Sequence, residues 1–499
     1  MKITATILML LFITVSCKKQ ETVYEATWES LENVNPAPDW FKDAKFGIYF
    51  HWGAYSTPAY ANEWYPRHMY QMGTREFEHH SQTFGNPNEW PYHYFVTGAK
   101  NKQGIHVQFA PKLKSEGGAF DPEEWADLFA KSGARFAGPV AEHHDGFSMW
   151  NSRVNPWNAQ NYGAKMDLVE ALAEAIRARN MKLILSMHHA FNFTGFYEHA
   201  PKYTEPELQL FYGQLPKNEA EKVWLDKHKE IIDMFKPDII WQDFNLTALN
   251  EQVLLDFLAY YYNSAQKWDK EVVTTYKDAL NTKVAMLDYE RGGPKDIVDE
   301  YWLTDDALSS SSWCFTEGIS YYSPKQVLHS FIDRVSKNGN LLLNISPRAD
   351  GSIPEEQKEI LLSIGAWLSK YGEAIYNTRA WKVYGEGPTQ MGSGHHHLEG
   401  GSFGDPIAGT AQDIRFTRSK DNKTLYAIML GWPNNNTLEL RSLAKNKLNT
   451  NSINSAQLLT PSGSIGLTVG FEKNDSVFSF LLPEKNIEEM AYVIKIEIE

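Results

Sequence analysis

Residues 120–152 read FDPEEWADLFAKSGARFAGPVAEHHDGFSMWNS. The stretch has three parts with different chemistry. Residues 122–131 form a helical pattern, with Asp121 in place to cap its first turn. Residues 134–141 are a near-continuous apolar run, as in a parallel strand buried on both faces. At its exit the chain turns polar: Glu142-His143-His144-Asp145-Gly146-Phe147. Helix, doubly buried strand and ionisable strand end together make one unit of an α/β fold whose chemistry sits at the carboxyl ends of its strands.

The unit recurs in both directions. Apolar runs at 45–50, 182–187, 238–241, 271–276, 283–287, 300–304 and 340–344 join 134–141 to make eight candidate strands. Helical patterns lie between many of them, at 167–179, 220–235, 251–268 and 324–337. In the first of these Leu168, Leu172 and Ile176 share one face. Eight strands with interleaved helices predict an α/β fold, a (β/α)8-like TIM barrel, with irregular fifth to seventh units. A last helix is expected over 355–371. From about 377 the texture changes to short runs at 380–384, 414–418, 425–430 and 437–440, separated by turn clusters such as Trp432-Pro433-Asn434-Asn435-Asn436 and Pro461-Ser462-Gly463. This predicts a C-terminal antiparallel β-sandwich over 376–499, behind a barrel domain at 34–375. Residues 392–404, with three consecutive histidines, read as a solvated loop.

At the N-terminus, Lys2 precedes an apolar run at 7–15, too short to span a bilayer and suited to a secretory signal. Cys17 follows Ser16 and precedes Lys18-Lys19, which resembles a bacterial lipoprotein cleavage box. Residues 1–17 are read as a signal peptide with Cys17 as the lipidation site, and 18–33 as a tether. The expectation is an exported lipoprotein, periplasmic or anchored to the outer membrane of a Gram-negative bacterium. Its only membrane contact would be that lipid.

Composition narrows the function classes. The 48 Lys and Arg against 62 Asp and Glu leave a charge of −14, and no long basic run offsets it, which argues against a nucleic-acid partner. Two cysteines, Cys17 and Cys314, exclude a disulfide scaffold and a four-cysteine metal site. Cys314 reads as a small buried hydrophobe. Aromatic residues reach 13%, which suits either a large core or flat platforms for sugar faces.

Polar and aromatic groups recur at nearly every strand exit. His51-Trp52-Gly53 and then Glu63-Trp64-Tyr65 follow the first run. His188-His189 follow the third, Trp241-Gln242-Asp243 the fourth, Lys277-Asp278 the fifth, and Asp288-Tyr289-Glu290-Arg291 the sixth. Two chemistries fit such a ring. Glycoside hydrolysis needs two carboxyl groups flanking the scissile bond, about 5–5.5 Å apart for retention, one ionised and one protonated. Asp243 and Glu290 come from different strand exits and are the candidates. Histidines and Trp64 or Trp241 would hold hydroxyls and pack on the sugar. Metal-assisted hydrolysis needs converging ligands. The pairs His143-His144 and His188-His189 are adjacent, and adjacent strand residues point to opposite faces, so each pair offers one inward ligand. No metal and no cofactor are expected.

Together these segments resemble the α-L-fucosidases of glycoside hydrolase family 29. The similarity is carried by WFKDAKFGIYFHWGAYSTPAYANEWY at 40–65, by 120–152 and by NGNLLLNISPRADGSIP at 338–354, in the family's order. It implies a retaining exo-α-L-fucosidase acting on a fucosylated oligosaccharide or polysaccharide. Asp243, in a Trp-x-Asp pattern, is the implied nucleophile. Glu290, in Asp-Tyr-Glu-Arg, is the implied general acid/base. His51, Glu63, Trp64, His143, His144 and Trp241 match sugar-binding positions. Some members carry the acid in a Trp-Glu pair, met here by Trp302-Leu303, which lacks the carboxylate. Asp288, Glu300, Asp305 and Asp306 are the other carboxylates nearby. Lys277 stands where an arginine is common, and the His188 region where an aromatic often touches the sugar. Either departure would bear on the choice between L-fucose and L-galactose. Trp313 is expected near the fucose methyl. A catalytically silent glycan-binding lipoprotein is the reading from another class.

Overall fold

The computed structural model describes residues 23–392, 404–444, 453–470, 477–486 and 488–498. The expected signal peptide at 1–17, with Cys17, and residues 18–22 of the expected tether lie outside the described residues, as does the run of three histidines. The first domain is a closed barrel of parallel strands: β1 (Phe46–Phe50), β2 (Phe136–Glu142), β3 (Lys182–Met187), β4 (Ile239–Gln242), β5 (Val273–Tyr276), β6 (Met286–Asp288), β7 (Trp302–Ala307) and β8 (Gly339–Ile345). Neighbours in chain order pair, and β8 closes on β1 with Leu341 opposite Phe46. The eight apolar runs are these eight strands, with shifted ends.

Period-two alternation divides each strand between two cores. Tyr49, Phe136, Val140, Ile184, Ile239, Trp241, Val273 and Leu303 fill the barrel's interior. Residues of the other parity, such as Ile48, Phe50, Leu183, Leu185 and Leu343, pack outward against the helices. The barrel is therefore plugged with side chains and offers a floor, not a channel. Gly47 makes room for one plug residue: a β-carbon there would stand 2.0 Å from the Phe136 ring.

The long helices around the barrel are α1 (Pro122–Lys131), α2 (Leu168–Ala178), α3 (Lys217–Phe235), α4 (Glu251–Lys267), α5 (Pro324–Ser336) and α6 (Glu355–Tyr371). Asp121 caps α1 as expected, accepting from the Glu123 and Glu124 amides. The outer ring has gaps: residues 277–285 after β5 and 289–301 after β6 carry no helix, which is the irregularity of the fifth to seventh units. No helix among the described residues is long and apolar enough to cross a membrane.

Part of the expected tether is docked. The Tyr24 amide donates to Asn263 Oδ1 at 2.8 Å, Asn263 Nδ2 donates back to the Tyr24 carbonyl at 2.8 Å, and Trp28 Nε1 donates to Glu251. Both partners lie on α4. A side-chain amide that satisfies both backbone groups of one residue leaves no free chain from Tyr24 on.

The C-terminal domain carries β9 (Thr378–Glu386), β10 (Ile414–Ser419), β11 (Thr424–Met429), β12 (Thr437–Leu440), β13 (Ile453–Thr460), β14 (Gly463–Gly466), β15 (Thr468–Gly470), β16 (Phe478–Leu481) and β17 (Tyr492–Ile498). They form a six-stranded sheet, β9-β10-β11-β17-β13-β14, and a three-stranded one, β12-β16-β15, antiparallel throughout. Along β11, Leu425, Ala427 and Met429 face the sandwich core with Leu438 and Phe480. Tyr426 and Ile428 instead belong to the core shared with the barrel helices. Arg415 Nε meets Asp333 of α5 at 2.5 Å, and Trp367 Nε1 of α6 donates to the Ala491 carbonyl at 2.9 Å.

Candidate active site

A cavity of about 410 Å³ opens at the carboxyl ends of the barrel strands. Its wall brings together His51, Glu63, Trp64, His143, His144, His188, Trp241, Asp243, Lys277, Glu290 and Trp313, the full set of residues expected there. Tyr49 and Trp241, with ring centroids 5.8 Å apart, top the barrel plug and form the floor.

Lys277 is the hub. Its ammonium nitrogen lies 3.0 Å from Asp243 Oδ1 and 2.6 Å from Glu290 Oε2, with Asp288 and Asp305 each at 3.9 Å. Two oxygens this close to one nitrogen are about 6 Å or less apart, compatible with the spacing of a retaining carboxylate pair. Burial pushes the Asp243 carboxyl up, but the Lys277 ammonium and the hydrogen bond from His144 outweigh it and hold it well below the usual carboxylate range. His144 Nε2 stands 3.1 Å from Asp243 Oδ2. Burial works against the Lys277 ammonium, yet Asp243 and the other acids around it raise its pKa well above the ordinary lysine value. Asp243 is thus a buried carboxylate held in its ionised form.

The histidines line the sugar side. Asn344 Oδ1 accepts both the His51 backbone N–H at 3.0 Å and its Nδ1–H at 2.8 Å. That leaves Nε2 as an acceptor for a hydroxyl. Burial lowers His51 to about 4 and holds His143 and His188 well below the normal histidine value. His143 Nδ1 is buried without a protein partner. Ligand atoms of these three rings lie within 4.8 Å of one another, so three neutral imidazoles can share one small polar guest, a hydroxyl or a cation.

His143 and His144 both face the cavity, against the expectation of one inward residue per adjacent pair. The β2–β3 register shifts between Val140 and Glu142, and β2 ends at Glu142. The bulge re-aims the residues beyond it. Glu142 turns outward to His189 Nδ1 at 2.5 Å and Lys227 Nζ at 2.7 Å, while His143 and His144 sit in a turn past the strand end. The pair His188-His189 follows ordinary alternation, His188 lining the cavity and His189 meeting Glu142.

Among the other carboxylates, Asp305 lines the cavity and accepts from the Tyr49 hydroxyl at 2.7 Å. Burial pushes it up to about 6. Asp288 lies just behind, accepting the Asp305 amide at 2.9 Å. Asp306 faces away to Arg334 at 2.9 Å, and Glu300 is exposed. Trp302 packs on Gly339 and donates Nε1 to the Lys337 carbonyl, away from the site. Glu63 accepts the Trp313 amide at 2.9 Å, which ties the loop after β1 to the loop after β7. Cys314 is buried, and its backbone bridges to His51.

Glu290 and Arg291 have φ of +35° and +51°. Two successive non-glycine residues in the left-handed region cost of order 1–3 kcal/mol each and persist where surroundings over-determine them, as functional sites do. Tyr49, Asp305, Asn62, Phe244 and Ser310–Ser312 also line the cavity. Tyr49 was not among the expected residues, and Asp305 was expected only as one of several nearby carboxylates; each shares its strand's inward parity, with His51 and Leu303 respectively.

A family model described as Alpha-L-fucosidase matches residues 11–373, and one described as Alpha-L-fucosidase C-terminal domain matches 409–497. The tissue alpha-L-fucosidase of Homo sapiens is 29% identical over 454 residues, 88% of this chain and 86% of that one. That of Bos taurus is 30% identical over 375 residues, 73% and 74% of the two chains. The crystal structure of Thermotoga maritima alpha-fucosidase in complex with fucose is similar with a TM-score of 0.72 at 26% identity, covering 95% of this chain and 100% of that one. With both domains matched and the barrel carrying two carboxylates at its mouth, the chain belongs to the α-L-fucosidase family, glycoside hydrolase family 29.

Proposed function

We propose that this chain releases terminal α-L-fucose from glycans by double displacement, with Asp243 as nucleophile and Glu290 as general acid/base. The observation that carries the reading is the single ammonium of Lys277 bridging these two carboxylates. Asp243 Oδ attacks the anomeric carbon while Glu290 gives its proton to the departing glycosidic oxygen. The glycosyl ester forms and the C–O bond to the leaving group breaks. Glu290 then takes a proton from water, whose oxygen displaces Asp243 with net retention. The neutral rings of His51, His143 and His188 suit the sugar hydroxyls. Trp313, tilted against His51 with centroids 5.4 Å apart, gives the 6-methyl an apolar wall. The closed floor of Tyr49 and Trp241 favours an exo mode, because a chain cannot pass through it.

Asp243→Gly should lower kcat by ~10³-fold or more, with azide restoring part of the rate as the β-configured fucosyl azide. Unaltered turnover in that variant would sink the assignment. A parallel assay with aryl α-L-galactoside decides the glycone: a kcat/KM above that for the fucoside would reverse the choice of sugar. The N-terminal segment supports export and lipid attachment at Cys17. Mass spectrometry of the mature N-terminus should find a diacylglyceryl cysteine, and an unmodified Cys17 would refute the anchor.

A further inference from the structure

We propose that residues 404–406, in the connection between β9 and β10 of the C-terminal domain, are a positioning element for the general acid. The inference rests on the assignment of Glu290 above. The Gly404 amide donates to the Arg291 carbonyl at 3.0 Å. Arg291 follows Glu290 directly, and the two share the left-handed backbone. The other side of the same turn is held by β7, where the Asp305 carbonyl accepts the Arg291 amide at 2.7 Å. The acid's backbone is thus gripped between the barrel wall and a loop from the second domain.

The loop is itself pinned beside the cavity mouth. The Tyr322 hydroxyl donates to Asp405 Oδ1 at 2.5 Å, and Gln326 Nε2 of α5 donates to the Pro406 carbonyl at 3.1 Å. The arrangement fills a gap. Residues 289–301 carry no helix, so the segment bearing Glu290 has no outer-ring element to brace it. A strained turn persists only where its surroundings over-determine it, and the C-terminal loop supplies one of those constraints. Arg291 completes the set within the barrel, its guanidinium 4.5 Å over the Trp313 ring and Nη2 donating to the Ser309 carbonyl at 2.9 Å.

The test uses Gly404→Pro, which removes the donated N–H, and Tyr322→Phe, which frees Asp405, each in the full chain. A misplaced acid hurts substrates that need a proton on the leaving group and spares those that do not. On a fucosyl disaccharide, kcat/KM should fall about tenfold for the loss of one such hydrogen bond. On an aryl fucoside with a good leaving group it should fall less than about threefold, with the Kd for fucose unchanged. A purely structural role would lower both substrates equally; that outcome, or no change in either, overturns the inference. Should Gly404→Pro fail to accumulate as folded protein, Tyr322→Phe decides alone. Glu290→Ala is run alongside. If it shows the leaving-group split and the loop variants do not, the loop inference falls by itself. If Glu290→Ala shows no split, the assignment of the acid falls and takes this inference with it.

Discussion

Lys277 concentrates the electrostatics of the site into one side chain. Four carboxylates lie within 3.9 Å of its nitrogen, and its charge is the first influence that opposes burial at Asp243. Lys277→Met therefore has a signed consequence. Without the ammonium the Asp243 pKa rises, more of the proposed nucleophile is protonated in mild acid, and the acidic limb of kcat/KM moves to higher pH. We expect a loss of about 10²-fold at neutral pH in aryl-fucoside assays across a pH series. An unmoved acidic limb would show that Lys277 does not set the nucleophile's ionisation. Lys277→Arg keeps charge but replaces a point donor with a planar fork, and should retain more activity than the Met variant.

At the scale of elements, the bulge at the end of β2 decides which side chains reach the sugar. Glu142 is turned outward and held by Lys227 of α3 and by His189, all three buried. Burial alone would raise the Glu142 carboxyl, but Lys227 and His189 bring it well below the usual carboxylate range. Lys227→Met strands that carboxylate. Breaking one partner of a buried pair costs about 3–5 kcal/mol, which urea denaturation should register, and weaker fucose binding should accompany it as His143 and His144 shift. Unchanged stability would mean that Glu142 finds another partner. The bulge also marks a limit of the sequence. The eight barrel strands were legible because their apolar runs are long enough to show burial on both faces, and Asp121 was legible as a cap because capping is local. The outward turn of Glu142 was not, because a one-residue register slip depends on β3 across the sheet. The strand ends carried Asp243, Lys277 and Glu290 in plain order. Asp305 stood at the exit of the 300–304 run among several nearby carboxylates, and its place at the cavity follows only from the barrel's closure.

At the scale of the molecule, buried histidines set the response to acid. Burial lowers His51, His80, His93, His228 and His329 to about 4. In the unfolded chain histidines titrate near 6.5. As pH falls from there toward 4, the unfolded state takes up protons that the folded state declines, and each such group withdraws up to about 3 kcal/mol of stability. Asp145, pushed up to about 7 by burial, and Asp305, at about 6, act in the opposite sense. They keep their protons in the fold and favour it as pH falls through the same window. The histidines are more numerous, so Tm should drop steeply below pH 6.5. A flat Tm from pH 7 to 5 would contradict this balance. Because β11 shares one face with the barrel core and one with the sandwich core, both domains should also melt in a single calorimetric transition.

The gaps in the helical ring separate the two proposed catalytic carboxylates by how their chain segments are anchored. A crossover that includes a helix is committed at both ends, since its length sets how that helix packs on its neighbours. The crossovers at 277–285 and 289–301 have no such commitment, yet one begins with Lys277 and the other carries Glu290, the proposed proton donor, near its start. The proposed acid is therefore held by backbone contacts at Arg291 on its outer side, whereas the proposed nucleophile is locked to β4 between two helical crossovers.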